Sequence, residues 1–152
     1  MECDFSEKSK FFGIKFLVDP EDFERYVKPY SFTKVNGYVR YSSCNDGLFG
    51  KLLHRVIMGV DDRWTLIDHI DGNRLNNSRS NLRVCTQQQN LCNRGKQTNN
   101  TSGFKGVSWL ERKQKWRAMI SNKFIGYFKT AEEGHRAYVK AAQELHGEFA
   151  KF

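Results

Sequence analysis

Residues 66–94 have the sequence LIDHIDGNRLNNSRSNLRVCTQQQNLCNR, and this stretch decides the fold of the first half of the chain. Two apolar runs in it, LID and LRVC, are typical of short strands, and Asp71-Gly72 marks a turn between them. Thr86 can cap a helix that continues through QQQNLCN. The order of strand, long loop, strand and helix predicts a ββα unit.

Four polar residues of this stretch stand where a hydrolytic site could form: Asp68, His69, Asn81 and Asn90. Asp68 and His69 end the first predicted strand, while Asn90 lies about one turn into the helix. Neutral imidazole can activate water near neutral pH, since its ordinary pKa is about 6.5. Carboxylate and amide oxygens favour Mg²⁺ or Mn²⁺, which stabilise the charge of a phosphorane. The residues therefore indicate metal-dependent phosphodiester hydrolysis.

These residues resemble the motif of the HNH nuclease family, in particular its phage and intron homing endonucleases, over the stretch from Leu52 to Arg94. The resemblance implies a ββα-metal core in which Asp68 and Asn90 bind one divalent cation. It also implies that His69 is the general base and that Asn81 orients the His69 ring. Many HNH proteins have a His where this chain has Asn90, and the change favours Mg²⁺ or Mn²⁺ over softer metals.

Turn formation is a second interpretation of the same stretch, because Asn, Asp and Gly are common turn residues. We expect that simpler role for Asn73, Asn76 and Asn77. His54, in the predicted helix KLLHRVIMG, also has two interpretations. It is either a histidine packed beside the core or a metal ligand.

Beyond residue 103 the sequence changes to three aromatic-rich runs, GFKGVSWL, KWRAMISN and KFIGYFK, which polar turns separate. They predict a three-stranded antiparallel sheet. Thr130 and Glu133 form a capping box that starts a helix, whose apolar stripe can cover one face of the sheet. The whole chain is therefore predicted to have an α+β fold.

The second half resembles the plant ethylene-response-factor (AP2/ERF) DNA-binding domain over residues 103–152. The resemblance implies a sheet that enters the major groove of double-stranded DNA. Trp116 alternates with two cations along its strand, so we expect it on the opposite face, against the helix. Ser108 replaces an Arg that is usual in the plant domain, so base preference is not carried over. A solvated sheet face is the other interpretation of the cations. The matched DNA-facing residues are Lys105, Trp109, Arg112, Lys115, Arg117 and Lys123.

The segment NRGKQTNNTSG, residues 93–103, has no large apolar side chain and predicts a mobile linker. It divides the chain into a nuclease domain with an N-terminal extension, residues 1–92, and a DNA-binding domain, residues 104–152. Such a tether would make the second DNA contact intramolecular.

The 152-residue chain has a net charge of +8 and 14% aromatic residues, and its excess positive charge lies beyond residue 24. A basic body with interleaved aromatics is typical of nucleic-acid binders. No apolar run is long enough to span a membrane, and the first residues lack the pattern of a secretory signal. We therefore expect an intracellular, cytoplasmic protein, in a bacterial host if the chain is phage-encoded. The cysteines form no CxxC pair, so we expect neither a disulfide framework nor structural zinc.

These features together predict a site-specific or semi-specific DNA endonuclease of homing type that acts as a monomer on double-stranded DNA. A single centre predicts that one strand is nicked at each binding event. One alternative is a non-catalytic DNA-binding regulator with a vestigial nuclease centre, which the competent residues at all four motif positions disfavour. Another is cleavage or binding of RNA, which the likeness to a duplex-DNA reader disfavours.

Overall fold

The computed structural model describes residues 1–4, 14–43, 46–96 and 100–152. The chain forms two units, Met1–Gln87 and Gln88–Phe152. The division therefore falls before the predicted boundary at residue 92. Cys44 lies outside the described residues, and within them Cys3, Cys85 and Cys92 form no disulfide. In the described part of the chain, no helix has the length and apolar character that a membrane span requires.

The first unit begins with hairpins and short helices. Its first strands are β1 (Glu2–Asp4), β2 (Lys15–Leu17), β3 (Ser31–Val35) and β4 (Tyr38–Ser43). Its helices are α1 (Pro20–Asp22), which continues as a π-helical turn over Phe23–Val27, and α2 (Leu53–Ile57). β1 pairs with β2, and β3 pairs with β4, both antiparallel. Asn36 and Gly37 both have positive φ and form the tight turn between β3 and β4.

A third antiparallel pair of strands follows α2 and carries the Asp-His pair. β5 (Leu66–His69) pairs antiparallel with β6 (Leu82–Cys85), which places Asp68 opposite Arg83. The helix α3 (Gln87–Cys92) comes next in the chain, at the division between the units. The predicted elements of residues 66–92 therefore occur in the predicted order.

The core of the first unit fixes this hairpin on its apolar side. Ile67 and Leu82 join a buried cluster with residues of β2, β3, β4 and α2. The loop between β5 and β6 is also tied down, because Leu17 donates to the Leu75 carbonyl and accepts from the Asn77 amide, both at 2.8 Å. The backbone hydrogen bonds and the burial of apolar side chains together restrain the conformation of this loop.

The second unit contains a three-stranded antiparallel sheet and one long helix, as predicted. The strands, in sheet order, are β7 (Val107–Leu110), β8 (Lys115–Ile120) and β9 (Lys123–Phe128). The helix α4 (Ala131–His146) packs its buried residues against one face of the sheet. The capping box is present: the Glu133 amide donates to Thr130 Oγ1 at 3.2 Å, and the Glu133 carboxylate accepts from the Lys129 amide.

The end of the predicted linker is bonded into the second unit. Ser102 Oγ donates to the Val107 carbonyl at 2.7 Å, and Asn100 Nδ2 donates to the Phe104 carbonyl at 2.8 Å. The polar side chains of these residues satisfy backbone groups at the start of the sheet. Residues 97–99 lie outside the described part of the chain.

Candidate active site

Asp68 and His69 end β5 as buried polar residues, with 5% and 4% of their surfaces exposed. Ile67, Asp68 and His69 are three consecutive buried residues, so β5 does not alternate between core and solvent at its end. A buried carboxylate and a buried imidazole are costly unless other groups bind them. The partners of these two side chains therefore define the site.

Arg83 is the partner of Asp68. Its Nε and Nη2 donate to Asp68 Oδ2 at 3.1 and 2.9 Å, and both side chains are largely buried. The pair follows from the register of the hairpin, since residues opposite each other in an antiparallel pair share a face. The motif does not include Arg83. The signal for it is the hairpin register, because pairing LID with LRVC places Arg83 opposite Asp68.

His69 lies among two other rings and one amide. The His54 ring meets it edge-on with centroids 5.1 Å apart, and the Tyr38 ring is 5.9 Å away. The fully buried side chain of Asn77 acts to raise the pKa of His69, and its Nδ2 donates to the Leu75 carbonyl at 3.2 Å. We expected Asn77 to be a turn former, so the structure gives it a second role that sequence analysis missed.

The surroundings of His69 favour the neutral ring, but they also contain groups that can stabilise the protonated ring. Burial lowers the pKa of His69 below its ordinary value, and the charge of Arg74 acts in the same direction. Asn77, Asp71 and Asp68 act against that shift. Since burial wins, the ring is neutral near pH 7, while the nearby acceptors would stabilise an imidazolium that forms there.

Asn81 does not take the predicted position against the His69 ring. Its Oδ1 accepts from the Asp71 amide at 3.0 Å, and its Nδ2 donates to Asp71 Oδ1 at 3.0 Å and to the Asn76 carbonyl at 2.8 Å. Burial would raise the pKa of Asp71, but hydrogen bonds from Asn76, Asn73 and Asn81 outweigh it and lower that pKa. Asn81 therefore holds the loop after His69, and Asn77 takes the contact with the ring.

His54 is a packed histidine of the core. Burial, with smaller contributions from His69 and Arg55, lowers its pKa to about 3, so it is neutral at pH 7. Its ring also packs against that of Tyr38, tilted by 42° with the centroids 5.2 Å apart. The Nδ1 atom is buried and has no hydrogen-bond partner among the described residues. Its position beside His69 limits the orientations that the His69 ring can adopt.

The donor set around Asp68 suits a hard cation with few protein ligands. The described residues contain no group of three or more His, Cys, Asp and Glu that could hold a metal ion. One carboxylate is compatible with Mg²⁺ or Mn²⁺, which keep several waters and take further oxygens from phosphates. Asn90 lies in α3 within the second unit, whereas Asp68 lies in the first, so Asn90 retains only its motif position as support.

The sheet of the second unit sorts the predicted DNA-facing residues onto two faces. Trp116 and Phe128 pack with Val107 and Ala118 in the cluster under α4, as expected for Trp116. Arg117 pairs across the strands with Ser108 and Tyr127, so these three lie on the other, outer face. The outer face of this sheet also includes Lys115, opposite Leu110, and the exposed Phe124.

Two predicted DNA-facing residues are placed differently. Trp109 pairs with Trp116, with ring centroids 5.3 Å apart, and so lies on the helix side of the sheet. Lys105 donates to the carbonyls of Cys92 and Lys151 at 2.6 and 3.2 Å, and burial lowers its pKa. Its ammonium group thus joins segments of the second unit. The other two predicted residues, Arg112 and Lys123, are exposed near the ends of the strands.

A cavity of about 870 Å³ within the second unit collects several cations. Arg94, Lys96, Lys105 and Arg117 contribute to its lining, and none of the described residues that line it is acidic. Arg117 Nε is buried and has no hydrogen-bond partner among the described residues. A concave cationic surface of this kind attracts phosphate.

Comparison with known proteins gives this geometry a context. Residues 65–92 match a family model described as HNH endonuclease. The chain is 37% identical over 89 residues to Protein 3.8 of Escherichia phage T7, which covers 57% of this chain and 74% of that protein. It is 38% identical over 110 residues to the uncharacterized HNH endonuclease L560 of Acanthamoeba polyphaga mimivirus, covering 66% of this chain and 57% of that protein. No solved structure matches the chain significantly.

The burial of His54 makes stability depend on pH. Between pH 7 and pH 5 the unfolded chain protonates this histidine, whereas the folded protein, with a pKa of about 3, does not. The folded state therefore loses stability as the pH falls, by about 2 kcal/mol from this residue alone. His54→Phe removes that contribution, so its free energy of unfolding should fall by about 2 kcal/mol less than that of the wild type over this range. Urea unfolding at the two pH values measures the difference, and equal losses would contradict the assignment.

Proposed function

Because residues 65–92 match the HNH endonuclease family model, we propose that the chain cuts double-stranded DNA by metal-dependent hydrolysis, as a site-specific or semi-specific endonuclease of homing type. The observation that carries the proposal is the buried His69, held neutral beside the carboxylate of Asp68. A base that is neutral near pH 7 and a carboxylate in the same small site are the two groups that phosphodiester hydrolysis requires.

His69 acts as the general base in this proposal. The neutral ring takes a proton from the attacking water, and burial keeps it ready to do so near pH 7. Asn77 and the charges of Asp71 and Asp68, which all act to raise the His69 pKa, then stabilise the imidazolium. The His54 and Tyr38 rings hold the His69 ring in place while the proton moves.

Asp68 would hold the divalent cation, Mg²⁺ or Mn²⁺, with Asn90 as the second protein ligand on the ground of its motif position. The cation, when bound, supplies positive charge to the phosphorane and to the leaving 3′ oxygen. Arg83 and the hairpin register fix where the Asp68 carboxylate lies. Asn81 contributes from further away, by shaping the loop that follows His69.

The second unit binds the DNA duplex through the outer face of its sheet. Arg117 and Lys115 lie on that face, and Arg112 and Lys123 are exposed at its margins. The cations supply contacts to phosphates, while Tyr127 and Phe124 add apolar area that can contact bases or sugars. A monomer with one centre would nick one strand, and the second unit would select where it does so.

Substitution at the centre tests the nuclease. His69→Ala and Asp68→Asn should each lower the rate of nicking of a supercoiled plasmid by about 10²-fold or more, since each removes a group that the reaction needs. EDTA should stop nicking by the wild type. Asp61→Asn is the matched control, because that exposed carboxylate only pairs with Lys51, and it should nick at the wild-type rate.

Two outcomes would contradict the proposal. Full activity in His69→Ala would remove the general base from the mechanism. A wild-type protein that binds DNA but cuts no duplex at any Mg²⁺ or Mn²⁺ concentration would instead favour a DNA-binding regulator with a vestigial centre.

Substitution on the sheet tests the DNA-binding face. Arg117→Ala and Lys115→Ala should each weaken duplex binding and lower the slope of log K against log salt by about 1, because each loses one phosphate contact. Lys140→Ala, an exposed cation on α4, is the control and should keep the wild-type slope. Fluorescence anisotropy over a salt series measures the slopes, and equal slopes in all four proteins would refute this face as the binding surface.

A further inference from the structure

We propose that Arg83 is a built-in counter-cation for Asp68, which makes capture of the divalent metal ion depend on DNA phosphate. The inference rests on the proposed function, since it takes Asp68 as the metal ligand. It adds a role for a residue that lies outside the Asp-His-Asn-Asn motif. It also couples the two ligands at this site, so that DNA and the cation each strengthen the binding of the other.

The geometry of the pair shows that Arg83 is part of the site. Two nitrogens of the guanidinium, Nε and Nη2, donate to the same oxygen of Asp68, at 3.1 and 2.9 Å. The two side chains have 13% and 6% of their surfaces exposed, so solvent screens their attraction little. Cross-strand pairing between β5 and β6 fixes both residues. Arg83 therefore stays at the carboxylate, unlike a surface cation.

The charge of Arg83 affects how strongly the site around Asp68 attracts a divalent cation. The charge of Arg83 cancels that of Asp68, and both side chains are largely buried. The described residues offer no group of three His, Cys, Asp and Glu that would attract a cation more strongly. A divalent ion would thus enter a site with little net negative charge, against the repulsion of a guanidinium held by the same carboxylate. The protein alone should bind it weakly.

A DNA phosphate supplies the missing negative charge. Its oxygens can contact the guanidinium and complete the coordination of Mg²⁺ or Mn²⁺. Binding of DNA and of the cation should therefore strengthen each other, and the coupling is reciprocal. Without either one, Arg83 offsets the cost of burying the Asp68 carboxylate.

The same unit contains a second Arg–Asp pair that serves as a matched control. Arg79 Nε and Nη2 donate to the two carboxylate oxygens of Asp22 at 2.8 and 2.7 Å, and Asp22 is also buried. This pair includes neither Asp68 nor His69. Removing Arg79 leaves a buried carboxylate without its guanidinium, as removing Arg83 does. The two variants therefore share the same loss and differ only in which carboxylate is affected.

The test measures Mn²⁺ binding to the full chain without DNA, by the loss of the free Mn²⁺ signal in electron paramagnetic resonance. Arg83→Gln should bind Mn²⁺ about tenfold more tightly than the wild type, because the competing cation is gone. Arg83→Lys keeps the charge and should bind like the wild type, and Arg79→Gln should also match it. Equal or weaker binding by Arg83→Gln would overturn the proposal, since Arg83 would then only support the carboxylate.

A second measurement adds duplex DNA in the His69→Ala background, where the DNA should stay intact. DNA should tighten Mn²⁺ binding by a larger factor in His69→Ala than in His69→Ala with Arg83→Gln. The same factor in both would overturn the coupling. Thermal melting in EDTA and in Mn²⁺ checks folding: Arg83→Gln should melt lower in EDTA and gain more from Mn²⁺ than the wild type does.

Asp68→Asn separates this proposal from the proposed function. If Asp68→Asn binds Mn²⁺ like the wild type, Asp68 is not the metal ligand and the proposed function fails at that step. If Asp68→Asn loses Mn²⁺ binding while Arg83→Gln is unchanged from the wild type, only the counter-cation role fails.

Discussion

The first unit depends on the burial of Asp68 and His69 at the end of one short hairpin. Water cannot satisfy these side chains there, so the protein must supply partners for both. Arg83 binds the carboxylate from the facing strand, and Asn77, in the connecting loop, acts to raise the pKa of the imidazole. The loop path, its bonds to β2 and the Asn81 network all serve to bring these partners to the hairpin.

The same burial gives the site its chemistry. It keeps His69 neutral near pH 7 while acceptors lie ready to stabilise the charged ring. It also strengthens the attraction between Asp68 and Arg83, which would be weak at the surface. The second unit follows another logic: its sheet has one apolar face against α4 and one face with cations and aromatic rings, so it suits binding more than catalysis.

Local patterns were enough to predict the strands and helices from Leu53 onward and the place of Asp68 and His69 at the end of a strand, but not β1 or β2. The Thr130 capping box and the apolar runs each act within a few residues, and each is confirmed. The choice of Asn77 over Asn81 beside His69 depends on the path of a loop that β2 holds, which no local pattern encodes. Arg83 and Trp109 required the strand register, and Lys105 required two distant carbonyls.

The most direct test of the account is the pH dependence of single-turnover DNA cleavage at saturating metal. The general base must be neutral, so the rate should fall as the pH drops through the pKa of His69. Because burial lowers that pKa, the account predicts a half-maximal rate at a pH below the ordinary value of 6.5. A half-maximal rate at or above pH 6.5, or a rate that does not fall in acid, would contradict the claim that a buried, neutral His69 activates the water.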